Sequence, residues 1–176
     1  MALLTLTAAT LAIACGGGNY GYAREYAPTS DERDALEGAT EVTYEELRRD
    51  PEDFREVTVG WFGVVQGVEN GPGDRTTLRL RFTTLAQRNL CENERASSCR
   101  VTVSHRAGGP FSAFVTLRDE EMNGEERLQL GSLVRVFGTA TGSFDEDGGP
   151  VLDASWHRHW PRSRYRTTAA RGRMRR

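Results

Sequence analysis

The feature that most constrains this chain is a run of short Val- and aromatic-rich segments between residues 57 and 160, each cut off by Gly, Pro or acidic residues. "TTLRLRFTTL" (76–85) alternates strictly, with Leu78, Leu80 and Phe82 on one face and Arg79, Arg81 and Thr83 on the other, the period of a half-buried strand. "VTVGWFGVVQGV" (57–68) reads as a long strand whose glycines at 60, 63 and 67 require a sharp bend. "RVTVSH" (100–105) and "FSAFVTL" (111–117) are shorter strands separated by Gly108-Gly109-Pro110. "SLVRVFGTATGSF" (132–144) and "PVLDASWHRHW" (150–160) form a last hairpin around the turn "DEDGGP". Helical signals are few. Thr43-Tyr44-Glu45-Glu46 has the form of a capping box, so a short helix should run to about Arg49, before Pro51, with a further turn through Glu52–Phe54. Residues 119–126, "DEEMNGEE", fit either a short helix or a solvated loop.

Many short strands and little helix predict a mainly β fold, and closure into a small barrel removes exposed strand edges. The expectation is a five- to six-stranded OB-like antiparallel barrel over residues 43–160, preceded by the short helix. In "LGSLVRVFGTATG", Gly131 makes a turn, Val134 and Val136 alternate, and Gly138 marks a close approach to the neighbouring strand. A different small barrel or an open sandwich is the alternative.

A length of 176 residues suits one domain with tails. Residues 1–153 carry 15 arginines against 25 acids, a net −10, whereas 154–176 carry eight arginines and no acid. Every basic residue is Arg, which reads first as genome composition. From Pro161 the chain is basic and without periodicity, so residues 161–176 are expected to be a disordered tail.

Residues 1–14 are apolar or small and fall short of the roughly 20 residues that span a bilayer. A cleaved signal peptide fits them, although the usual positive n-region is absent. Leu11-Ala12-Ile13-Ala14-Cys15 resembles the lipobox of bacterial lipoproteins, which implies cleavage before Cys15 and acylation of that residue. Several acyl chains anchor firmly, at about 0.8 kcal/mol per buried methylene. Gly16-Gly17-Gly18-Asn19 then opens a flexible tether over residues 15–42, with at most a helical turn near Asp31–Glu37 ended by Gly38. Gly16, where an Asp would retain the protein at the inner membrane, implies the outer membrane, with the domain facing the periplasm. A buried cysteine closing an apolar helix is the plainer alternative.

Residues 51–160 resemble the OB-like domain of the Slp-type (starvation-inducible) outer-membrane lipoproteins. The opening "PEDFREVTVGWFGVV" carries Pro51, Phe54, Val59, Trp61 and Gly63, "TTLRLRFTTL" resembles the second strand, and "LGSLVRVFGTATG" the late Val-rich strand. Phe62, Thr84, the Cys91–Cys99 segment and the Arg-rich tail depart from the pattern. The resemblance implies fold and location and names no catalytic residue.

Cys91 and Cys99 remain once Cys15 is assigned to lipid, and an even pair in an exported protein reads as a disulfide. Zinc would need ligands that are not nearby. In "WHRHWP" (156–161), His157 and His159 share one side of a strand, the geometry of two imidazole ligands. A core face of Leu152, Ala154 and Trp156 would instead turn both into solvent, and only His105 and Asp153 could complete a site. No metal, cofactor or catalytic function is expected: no nucleophile elbow or phosphate loop is present. Arg79, Arg81 and Phe82 are the candidate ligand-binding face, because OB barrels bind single strands through stacked aromatics and a basic groove. The −10 charge over residues 1–153 argues against nucleic acid. The resulting expectation is a lipid-anchored envelope protein with a binding or scaffolding barrel. Its partners would be envelope proteins, or anionic envelope polymers met by the basic tail; the alternative is an oligonucleotide or oligosaccharide binder.

Overall fold

The computed structural model describes residues 25–86, 88–90, 100–106 and 108–172. The described residues include the α-helices α1 (Ser30–Glu37), α2 (Tyr44–Arg49) and α3 (Asp119–Met122). The strands are β1 (Thr58–Asn70), β2 (Thr76–Thr83), β3 (Val101–Val103), β4 (Pro110–Val115), β5 (Leu133–Phe144), β6 (Pro150–Trp160) and β7 (Tyr165–Thr167). Five of them close a barrel in the order β1-β2-β4-β6-β5, so the mainly β, OB-like expectation holds. Closure is not wholly antiparallel, because β4 and β6 pair in parallel through Ser112↔Val151, Ala113↔Leu152 and Phe114↔Asp153. A parallel pair cannot be read from local alternation, since its partners lie far apart in the chain.

The strand faces follow the alternation. Leu78 and Leu80 are buried inside with Val59, Trp61, Val65, Phe111, Val134 and Leu152. Gly63 keeps the interior open: a Cβ there would lie 2.7 Å from the Phe111 ring and 2.9 Å from Leu80. At Gly138 a Cβ would meet the Asp153 carbonyl oxygen at 2.8 Å, which is the close approach expected of it.

Helix α2 packs against the barrel core. Thr43 caps α2 by accepting from the Glu46 N–H at 3.2 Å, and Glu46 accepts from the Thr43 N–H at 2.9 Å, closing the expected capping box. Tyr44 and Leu47 then enter the core, where the Tyr44 hydroxyl donates to the Pro110 carbonyl at 2.9 Å.

A second apolar cluster lies on the outer wall, where Phe62, Leu133 and Trp160 pack with Val101, Val103, Tyr26 and Tyr165. It is covered by β3 and β7, which pair in parallel, Val101↔Tyr165 to Val103↔Thr167. The basic tail is therefore not disordered from its start. Tyr165 gives it an anchor, half-buried, with its hydroxyl donating to the Gly131 carbonyl at 2.9 Å. Residues 25–42, read as part of the tether, are likewise docked: α1 places Glu32 in a fully buried position on the same wall. The expected signal segment, Cys15 and the glycines after it, together with Cys91 and Cys99, lie outside the described residues.

Candidate functional site

Arg79 and Arg81 project from the outer face of β2, as the alternation requires, into two joined depressions on the barrel wall. The larger, of about 390 Å³, has Thr77, Ser112, Phe114 and Val151 from β2, β4 and β6 as its floor. The smaller, of about 300 Å³, continues past Arg79 to Gln66, Arg81 and Pro110. Phe82, expected on this face, points the other way. It stacks on Tyr44 (5.2 Å between centroids) and meets Trp61 edge-on (5.4 Å), as its place in the same alternation as Leu78 and Leu80 demands. The three candidates are thus not one face, and Phe82 is a core residue.

The β5–β6 turn makes a wall of the groove. Asp145 organises the β5–β6 turn: one carboxylate oxygen accepts from the Asp147 and Gly149 N–H groups at 3.0 and 2.8 Å, and the other accepts from the Ser112 hydroxyl at 2.6 Å. This Asx-type arrangement pins the turn over β4. Outside the groove lining, Arg75, before β2, pairs with Asp153 and lies over the Phe114 ring at 5.3 Å. Arg79 is held between Glu69 (2.8 Å) and Asp147 (3.6 Å). Phe144, 47% exposed, stands between the groove and a further depression of about 510 Å³ lined by Glu45, Arg48, Arg49 and Gly148. Among the described residues, the depression of about 390 Å³ is lined by the carboxylates of Glu69, Asp145, Glu146 and Asp147 against the guanidinium of Arg79. Sequence reasoning missed Phe114, Phe144 and the role of Asp145. The Asp-x-Asp-Gly-Gly turn signalled only a turn, and nothing local showed that it folds back over β4.

The histidines are also placed differently from expectation. A bulge at Ser155, between the pairs Phe137↔Trp156 and Gly138↔Ala154, shifts the alternation of β6 by one residue. Leu152 and Ala154 stay on the core side, but Trp156 turns outward and His157 and His159 turn in, opposite the buried Val136 and Val134. Their side chains are only 10% and 11% exposed, not solvated. Both meet the fully buried Glu121 of α3, with His157 Nε2 3.0 Å and His159 Nδ1 3.2 Å from its Oε1. Arg118 adds a guanidinium contact at 3.0 Å and a backbone N–H at 2.9 Å. Burial alone would raise the Glu121 carboxyl, but Arg118 and His157 together hold it down to about 2. Burial lowers His157 in spite of that carboxylate. Among the described residues no group of His, Cys, Asp and Glu is arranged to hold a metal ion. His105 stands apart, hydrogen-bonded to Thr168 at 2.7 Å.

The fold and groove define a small OB-like barrel with a side-wall cleft walled by the β5–β6 turn. Compared with family models, curated proteins and solved structures, the chain matches none.

Proposed function

We propose that this is a lipid-anchored bacterial envelope protein whose OB-like barrel is a non-catalytic binding module, with the groove beneath the 145–149 turn as its ligand site. The observation that carries the binding role is the groove itself: a strand face beneath the β5–β6 turn, the kind of surface OB barrels use for ligands, with Phe114 and the half-exposed Phe144 as anchors. Its carboxylate rim favours a protein partner with basic groups and disfavours nucleic acid or an anionic polymer at this site. Export and anchoring rest on Leu11–Cys15 and the following glycines, and the outer membrane and the Slp-type family rest on the sequence resemblance. The bridge Cys91–Cys99 rests on the even cysteine pair left once Cys15 is assigned to lipid in an exported protein.

Two measurements test the reading. Labelling with a fatty-acid analogue should mark the wild type and leave Cys15→Ala unlabelled and released from the membrane fraction; equal labelling would refute the anchor. A photo-crosslinking residue at position 144 should capture envelope protein in whole cells, and the capture should be lost on charge reversal at Asp147. Capture that ignores Asp147, or nucleic acid in the adduct, would refute the groove assignment.

A further inference from the structure

The outer wall of β5 and β6 carries a second site that the groove does not use. Arg135 and Arg158 project from paired positions, Arg135↔Arg158, and both reach the same carboxylate, that of Glu32. Their guanidinium planes lie against rings: Arg135 is 4.8 Å from the Phe62 centroid and 4.7 Å from that of Phe137, and Arg158 is 4.7 Å from that of Trp160. Stacking fixes the orientation of the donors in advance and keeps them poorly hydrated, which is how a planar carboxylate is recognised. Tyr26 completes the pocket, donating to Glu32 while its ring meets Phe62 and Trp160 edge-on at 6.0 Å.

The ligand in this pocket belongs to an element that is otherwise weakly held. Glu32 is the only buried residue of α1, and Leu36, the largest apolar side chain of that helix, is 45% exposed. The helix is docked through one charged group, with Tyr26 ahead of it as an aromatic anchor. The cradle is also not saturated by its occupant, because the buried Nε of Arg135 has no hydrogen-bond partner.

We propose that Arg135 and Arg158 form a carboxylate-binding cradle for an acidic peptide segment of a partner protein, and that Glu32 occupies it as an internal ligand which the partner displaces. Residues 25–38 then act as a strap. Being tethered, the strap competes at a high effective concentration, and a ligand sees the cradle only in the fraction of molecules whose strap has lifted. The preferred ligand carries an aromatic residue ahead of a Glu, as the strap does, and gains the additional donor of Arg135.

The test uses the full chain and a synthetic peptide of residues 25–38 as the probe. Glu32→Gln should bind the peptide at least about 10-fold more tightly than the wild type does, because its own strap no longer fills the cradle. Adding Arg135→Gln to that variant should abolish the binding, and a peptide carrying Gln at position 32 should bind neither chain. Equal binding by wild type and Glu32→Gln, or binding that survives the loss of Arg135, would overturn the proposal. Hydrogen exchange on the wild type serves if the variant does not fold. Residues 30–37 should exchange by local opening, at least about 100-fold faster than 133–137. Exchange of both segments only by global unfolding would overturn it equally.

Discussion

The two faces of β6 each meet a buried carboxylate, and they do so with different chemistry. Facing inward, His157 and His159 meet Glu121 of α3, a helix within the barrel's own connection from β4 to β5. Facing outward, Arg158 joins Arg135 on Glu32, which arrives from the N-terminal helix more than a hundred residues away. The difference is instructive. An imidazole can lose its proton, so the inner contact is tied to pH and to the integrity of the barrel. A guanidinium keeps its charge, so the freedom of the outer contact lies in whether the arm is docked.

The sharpest way to break the comparison is to remove the interior on which the inner face rests. Leu80→Ala should destabilise the barrel by about 2–5 kcal/mol through the cavity it leaves. Both carboxylate contacts should weaken together, as urea denaturation followed by tryptophan fluorescence would show. Glu121→Ala should cost about 2–3 kcal/mol, because the Arg118 N–H and the histidine donors lose their acceptor. Glu32→Gln should change global stability by less than about 1 kcal/mol, the loss being confined to the docking of α1. Arg79→Ala, on the exposed wall of the groove, should shift the same urea midpoint by less than about 0.5 kcal/mol.

Acid sharpens the contrast. The Glu121 carboxyl is held at about 2, below its usual 4.5, so its contribution is complete above about pH 4.5 and is lost as the pH falls towards 2. His157 lies below its usual 6.5, so the unfolded chain takes up that proton first and stability falls as the pH drops through 6.5. In His157→Gln the upper step should disappear and the lower one remain, read from urea midpoints at pH 7.5, 5.5 and 3.5.

Strand positions, the α2 capping box and the inner face of β2 were legible because each is a local pattern: alternation in "TTLRLRF", T-x-x-E at residues 43–46. The faces of β6 were not. A bulge at Ser155 inverts the alternation midway, and no residue type marks it, since Ser155 is not a glycine. Charge patterning likewise failed at Glu32 and Glu121, which sit among exposed acids and are distinguished only by their distant partners. The tail lacked periodicity because its one strand is three residues long and held by a parallel partner some sixty residues earlier. Of the candidate site, Arg79 and Arg81 were readable from strand parity, whereas the turn that walls the groove required tertiary folding to reach Ser112.

The central claim is that consecutive residues of β6 serve two independent contacts on opposite sides of the barrel wall. Hydrogen exchange in His157→Gln and Arg158→Gln, compared residue by residue with the wild type, tests it most directly. The account predicts faster exchange confined to 119–123 in the first variant and to 30–37 in the second. Acceleration of both segments in either variant, or an exchange of the two patterns, would contradict it.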